Sequence, residues 1–332
     1  MKFRTELHTS SQSDVFLKLG DPALIIGSCF SEHIGKKLQS LKFNVRLNPF
    51  GIVYNPVSLG YQIDRIISKS LISEKDLRFR DGLWHSYEHH GMFSDAEPEK
   101  LLGRANKSLL NAAEHLKAAK FLFLTFGTSW VFELKERKTV VSNCHKFPSS
   151  EFTHRLASID ETYEGLHQAL SRVIEHNSEI NIILSISPVR YLKNGHFSNQ
   201  LSKARLIELV YRLSMGFSRV QYFPAYEIFM DDLRDYRYYD DDLIHPGPQG
   251  LKYIWEKFSA SFIDEQTSFD IRRIDKLIKA INHRPFNPQL SEHIDFIETQ
   301  LKNIDAIENE LGISFHDEKS ELLNRLRSYT AE

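Results

Sequence analysis

The sequence predicts an α/β fold, built on a mainly parallel sheet covered on both faces and followed by an all-helical C-terminal appendage. Three observations predict it. Short apolar runs alternate with segments of helical period between residues 23 and 264. Each run stops at a Gly, Pro, Ser or Asn cluster, as strand ends do. Beyond about residue 265 the composition turns charged and helical throughout. At 332 residues the chain is long for one core, and the division expected is 1–265 and 266–332.

The expected strands are 23–26, 43–47, 121–126, 180–186 and 220–223. Between them lie helical patterns at 31–41 (Ile34, Leu38, Leu41), 99–118 (Leu101, Leu109, Leu116), 160–177 (Leu166, Leu170, Ile174) and 201–215 (Leu206, Leu209, Leu213). Strand–helix–strand alternation is the mark of βαβ units and a parallel sheet. A hairpin around 135–138, with Phe132-Glu133-Leu134 and Val140-Val141 as its arms, interrupts the series. A last helix, 248–264, opens at Pro248 and carries Leu251, Ile254, Trp255, Phe258 and Phe262. In the appendage one stripe is Ile271, Ile274, Leu277, Ile278 and Ile281. A break follows at Pro285-Phe286-Asn287-Pro288, then Ile294, Ile297, Leu301, Ile304, Ile307 and Leu311, and finally Leu322, Leu323 and Leu326. These stripes are expected to pack back on the same chain, with a homodimer through the C-terminal helices as the alternative.

Composition narrows the function classes. The apolar fraction is 41% and the formal net charge −2, so bulk charge gives no reason to expect a nucleic-acid partner. Two cysteines, Cys29 and Cys144, do not make a disulfide scaffold. The start at Met1 is polar, without an apolar core of signal-peptide length, and no stretch approaches the roughly 20 apolar residues of a membrane span. The expectation is a soluble cytoplasmic protein without a leader or membrane contact.

The chemistry begins where the first strand ends. Gly27 permits a tight turn, and Ser31-Glu32-His33-Ile34 opens a helix, so Ser28 and Cys29 sit at a strand-to-helix turn. Backbone N–H groups there favour developing negative charge, and a thiol at a helix N-terminus tends to ionise more easily. A Gly-Ser-Cys turn by itself is equally compatible with a structural role. Near the other end, His245 stands between Asp240-Asp241-Asp242 and Pro246-Gly247-Pro248. Proline at 246 holds it extended, and Asp242 can turn back to accept from the imidazole, the orienting role in a nucleophile–His–Asp triad. An acidic loop with a capping histidine has the same residues.

A nucleophile after the first strand and Asp-x-x-His before the last helix is the order found in SGNH (GDSL-like) hydrolases. The chain resembles the GSCFA family in particular, through Gly27-Ser28-Cys29-Phe30, Asn48-Pro49-Phe50-Gly51-Ile52 and Asn143-Cys144-His145-Lys146. The resemblance continues in Ser187-Pro188-Val189-Arg190, Tyr222-Phe223-Pro224-Ala225-Tyr226-Glu227 and Asp232-Leu233-Arg234-Asp235-Tyr236-Arg237. It spans about residues 3–265. It implies a flavodoxin-like three-layer sandwich of about five parallel strands and an esterase or acyltransferase activity. Laid on the SGNH first block, Cys29 takes the catalytic serine's place and Ser28 the aspartate's, so register nominates Cys29 as nucleophile, with Ser28 its rival. The second block implies Gly51 as an oxyanion donor, although a Pro-Phe-Gly turn explains that glycine as well. The third block, Gly-x-Asn-Asp, reads Gly127-Thr128-Ser129-Trp130 here, with Ser129 replacing the asparagine. Ser129, or Asn143 from beyond the hairpin, would then donate to the oxyanion; losing such a donor costs roughly two to three orders of magnitude in rate.

Arg190 follows the fourth strand and suits a substrate carboxylate or phosphate, or a salt bridge to Asp240 or Asp241. His145 and Trp130 are further substrate-binding candidates. Tyr236, Tyr238 and Tyr239 with Trp84 and Trp130 would line a sugar cleft if they are not core. His85, His89, His90, Cys144 and His145 have no paired metal-ligand spacing, so no metal and no cofactor are expected. The leading function is covalent acyl transfer on a small-molecule or glycan ester, with an acyl-CoA donor if the thioester on Cys29 passes to an acceptor. The alternatives are a non-catalytic glycan- or protein-binding module and a metal-dependent hydrolase.

Overall fold

The structure, a computed structural model, describes residues 4–9, 15–283 and 291–330. The expected break at 285–288 lies outside the described residues. Two compact units emerge. The first takes Pro22–Lys36, Val45–Ser261 and the described residues before Asp14; the second takes Val15–Asp21, Lys37–Asn44 and the described residues from Phe262 on.

The first unit is a flavodoxin-like α/β sandwich. Its chain runs β1 (Ala23–Gly27), α1 (Cys29–Ser40), β2 (Val45–Leu47), α2 (Pro56–Ser68), β3 (Leu77–Arg80), β4 (Leu83–Ser86) and α3 (Pro98–Ala118). It continues through β5 (Phe121–Phe126), β6 (Trp130–Leu134), β7 (Thr139–Val141), β8 (Phe152–Leu156), α4 (Ile159–His176), β9 (Asn181–Ile186), α5 (Gly195–Gly216), β10 (Val220–Phe223), the single turn α6 (Ala225–Glu227) and α7 (Pro248–Phe262). A five-stranded sheet has the order β10-β9-β5-β1-β2, with every pairing parallel. The strands are apolar on both sides because both sides are covered. Leu24, Ile26, Leu122, Leu124, Ile182 and Leu184 face a core that also holds Leu59 and Ile63 of α2, Leu109 of α3, Leu166 and Leu170 of α4, and Leu206 and Leu209 of α5. The alternate residues Ile25, Phe123, Ile183 and Phe223 face Phe30 and Ile34 of α1 and Phe258 of α7.

Four elements depart from the sequence expectation. The helix α2 lacks a long apolar run, but Asn55 Oδ1 caps it by accepting from Ser58 N–H (2.8 Å) and Pro56 opens it. The antiparallel hairpin β3–β4 and the strand β8 are half-buried, so their apolar residues form no continuous run. The expected hairpin is β6–β7, and β8 pairs on the other side of β6 to make a three-stranded antiparallel sheet. The second parallel strand is shorter than expected, because Phe43 N–H turns back to Leu38 O before the ladder begins.

The second unit holds α8 (Glu265–Asn282), α9 (Ser291–Leu311) and α10 (His316–Thr330). Asp264 caps α8 through Thr267 N–H at 2.7 Å. Most of the predicted stripes are buried: Ile271, Ile274, Leu277 and Ile281 on α8, Ile297, Ile304 and Ile307 on α9, and Leu322 on α10; Ile278, Ile294, Leu301, Leu311 and Leu326 are half-buried and Leu323 is exposed. Leu17, Leu19, Leu38, Leu41 and Phe43 are buried in the same unit. Lys42 reaches Glu318 at 2.7 Å and lies over the Phe315 ring. Among the described residues no helix is long and apolar enough to cross a membrane.

Candidate active site

The site forms at the carboxyl edge of the parallel sheet. The connection from β1 leads to β2 on one side, while β5 pairs with β1 on the other. Loops diverge at such a reversal and leave a crevice. Gly27 closes β1 with φ +154°, and a Cβ there would lie 2.4 Å from the Thr125 carbonyl oxygen, so the turn requires glycine. Ser28 follows. Its N–H donates to Thr125 O (3.3 Å), and its carbonyl accepts from Ser31 Oγ (2.6 Å) and Glu32 N–H (3.2 Å). Its own hydroxyl is sealed and without a partner among the described residues. Cys29, the first residue of α1, is a free and only partly buried thiol. Burial pushes that thiol up. The backbone N–H groups of Phe30 and Cys29 oppose the shift, Glu32 adds to it, and the Lys203 ammonium pulls it back down.

The second half comes from the loop before α7. Its ends are tied by Asp240 N–H to His245 O (2.8 Å) and Gly247 N–H to Tyr238 O (2.7 Å). Asp242 Oδ1 accepts from the N–H groups of Ile244 (2.8 Å) and His245 (2.9 Å), while Oδ2 meets His245 Nδ1 at 2.6 Å. The His245 N–H, the imidazole and the Ile244 N–H together hold the Asp242 carboxyl down at about 2. A carboxylate on Nδ1 fixes the tautomer that leaves Nε2 as the base.

Ser28, Cys29 and His245 line one cavity of about 380 Å³. Its other walls come from the loops after β2 (Tyr54, Asn55), after β5 (Gly127, Thr128) and after β9 (Ser187, Val189, Arg190, Tyr191). The antiparallel sheet supplies Trp130, Phe132, Val141, Ser142, Asn143 and Cys144. No Asp or Glu is among these residues. Both cysteines of the chain are free and face this space.

A family model described as the GSCFA family matches residues 22–258, and one described as the GSCFA domain protein, C-terminal domain, matches residues 274–328. The chain belongs to the GSCFA family. No curated protein matches it. A solved structure from Streptococcus pneumonia, described provisionally as a platelet activating factor, is 12% identical; the match covers 72% of this chain and 83% of that one, with a TM-score of 0.38. At that distance it says nothing of activity.

In this GSCFA chain the expected oxyanion donors separate. Gly51 does not reach the cavity. Its N–H is spent on Asn48 O at 2.8 Å, and its φ of +78° with His90 packed against it makes it the turn glycine. Ser129 is also committed elsewhere: its N–H donates to Ser202 Oγ (2.7 Å) and its hydroxyl to Ser202 O (3.0 Å). Asn143 does line the cavity. Its Oδ1 takes the His145 N–H (2.9 Å), and Nδ2 makes no hydrogen bond among the described residues. Asn55, overlooked in the sequence, is arranged alike: Oδ1 caps α2 and Nδ2 makes no hydrogen bond among the described residues. An Asn-Pro pair opening a helix was its only signal.

The remaining candidates divide. Trp130 lines the cavity, with Nε1 donating to Ser198 O (3.3 Å) and its ring against His154. Arg190 lines it too, and makes no ion pair with Asp240, Asp241 or any other described residue. Instead its guanidinium lies 4.8 Å from the Tyr239 ring centre and 5.8 Å from that of Tyr236. His145 turns away, with Nε2 on Ser86 O (2.8 Å) and its ring on His85. Burial drives it down to about 4. Trp84 packs on Phe79 and Tyr238 meets Arg237, so the five aromatics form no common cleft. Among the described residues no His/Cys/Asp/Glu group is arranged to hold a metal.

Lys203 of α5 gave no signal in the sequence. It is 1% exposed, and Nζ donates to Gly127 O (2.8 Å) and Ser187 O (2.6 Å), one carbonyl from each loop beside the cavity. The ammonium also lies over the Tyr226 ring. Burial pulls it down to about 7, against the attraction of Cys29 and Glu227.

Proposed function

We propose that the protein is an SGNH-like acyl-transfer enzyme, an ester hydrolase or acyltransferase working through a thioester on Cys29. The observation that carries this reading is one cavity lined by both a partly exposed thiol at a helix N-terminus and a histidine whose Nδ1 is fixed by a carboxylate. His245 Nε2 takes the Cys29 proton and the thiolate attacks the ester carbonyl. The carbonyl π electrons move to oxygen, where the amide nitrogens of Asn55 and Asn143 are among the side-chain donors without a partner among the described residues. Collapse breaks the ester C–O bond, and His245 returns the proton to the leaving alkoxide. Water then gives hydrolysis, and an alcohol or amine acceptor gives transfer. Ser28 is the lesser candidate, because its hydroxyl is sealed beneath the turn. A glycan ester or an acyl-CoA donor is consistent with such chemistry. Two free thiols facing one cavity suit the reducing cytoplasm.

A binding module without catalysis is the competing reading, favoured by the commitment of Gly51 and Ser129 elsewhere. The two part on a direct test. Purified protein is given 4-nitrophenyl acetate and acetyl-CoA, with acylation followed by intact mass. Cys29→Ala and His245→Ala should lose nearly all turnover. Asp242→Asn should lose about 10⁴-fold, as a wrong tautomer does. Ser28→Ala should retain most of it. Identical behaviour of wild type and His245→Ala would falsify acyl transfer.

A further inference from the structure

We infer that the cavity binds amphiphilic anions, with a carboxylate or phosphate on Arg190 and an apolar group against Trp130, Phe132 and Val141. This deepens the acyl-transfer reading by naming its substrate class, and it rests on that reading only for the reaction that follows binding. Three observations converge. The described lining includes Arg190 and His245 but no Asp or Glu, so no carboxylate on it opposes an anion. Among the described residues Arg190 lacks a carboxylate partner, although Asp240, Asp241 and Asp242 stand on the neighbouring loop. Asp242 is occupied by His245, Asp240 accepts the Asp241 N–H (3.0 Å), and the guanidinium lies by the Tyr236 and Tyr239 rings instead.

The consequence is a cation kept ready for a ligand. Ring stacking satisfies the face of a guanidinium and leaves its N–H edge free, the edge that matches carboxylate or phosphate in pairs. The backbone places Arg190 beside the base loop: its N–H donates to Ile244 O at 3.5 Å, one residue before His245. Val189 N–H is held by Ser187 Oγ at 3.2 Å. The anion is therefore recognised beside the proposed base. Arg190 is partly buried, so a pair formed there is less screened than one on an open surface. The three apolar wall residues come from the antiparallel sheet and give the rest of the ligand a surface that excludes water.

The test measures binding, not turnover. Isothermal titration of the full chain uses 4-phenylbutyrate, phenyl phosphate and the neutral 4-phenylbutyramide. At least one anion should bind about tenfold or more tighter than the amide, as a hydrogen-bonded charge allows, with the advantage shrinking as salt rises. The stronger anion distinguishes a carboxylate ligand from a phosphate ligand. Arg190→Met should abolish the preference, and Arg190→Lys should keep part of it, with thermal melts showing both variants folded. Equal binding of amide and anions, no binding of any probe, or an undiminished preference in Arg190→Met would each overturn the inference. Cys29→Ala should bind like wild type, so loss of the covalent reading leaves this result standing. Acylation of Cys29 together with indifferent probe binding would sink the anion site alone.

Discussion

A lysine sealed from water costs stability unless its ammonium is matched. Lys203 is matched by two carbonyls, and those carbonyls belong to the turns after β5 and β9 that border the cavity. Its charge also bears on Cys29, favouring the thiolate against burial and Glu32. Lys203→Met should therefore raise the pH at which Cys29 reaches half its maximal alkylation rate by iodoacetamide, measured in a Cys144→Ser background. It should also lower the melting temperature, since two buried acceptors lose their donor at about 1–3 kcal/mol each. An unchanged alkylation midpoint would remove Lys203 from the site. Below about pH 7 the folded chain carries the full burden of burying this charge; between 7 and 10.5 the burden lifts, because the unfolded chain then binds the extra proton. Ser202-Lys203-Ala204-Arg205 reads like any helical surface, so neither role was legible. Cys29, Asp242 and His245 were legible as candidates because order along the chain reports which loops share a sheet edge. Gly51 and Ser129 were misplaced for a physical reason: a motif's register does not reveal which donors the fold has already spent.

Elements were legible to the degree that they are buried on both sides. The strands β1, β5 and β9 are buried throughout and mostly apolar, and stand out in the sequence. The strands β3, β4 and β8 are only partly buried and carry no continuous apolar run, so nothing marked them. The helix α2 hid behind its Asn-Pro start, where the cap signal is local and the apolar stripe short. The turn after β4 carries a consequence for acid stability. His89 is 1% exposed, its ring lies 4.8 Å from Phe50 and 5.1 Å from Phe93, and Nδ1 meets Ser86 Oγ at 2.9 Å. Burial pushes it down to about 3 from an ordinary 6.5. The unfolded chain then binds the proton first, so the neutral ring's contribution is complete above pH 6.5 and lost as pH falls through the window toward 3. His145, held at about 4, adds in the same direction. Calorimetric melts in pH steps should show the melting temperature falling across that window, with a shallower fall in His89→Phe. An equal slope in the variant would mean that His89 is not buried neutral.

At the scale of the whole molecule, the family's division and the packing of the chain do not coincide. The family match ends at residue 258 and its C-terminal counterpart starts at 274, which invites cutting between them. The helical unit, however, is not made of C-terminal residues alone. Val15–Asp21 and Lys37–Asn44 belong to it, and they bring Leu17, Leu19, Leu38, Leu41 and Phe43, all buried. Leu17 N–H donates to Phe262 O at 2.8 Å, and Lys42 pairs with Glu318. A chain ending at residue 264 would keep those five apolar side chains and lose the helices of their unit. Burying such a side chain is worth about 1.5–3 kcal/mol, so uncovering even two or three approaches the stability of an ordinary domain. The truncated chain should melt well below the full chain or collect in the insoluble fraction. Replacing Leu38 and Leu41 by polar residues in the truncated chain should recover solubility without recovering the melting temperature. A truncation that melts with the full chain would show instead that the two N-terminal segments hold their places without the C-terminal helices.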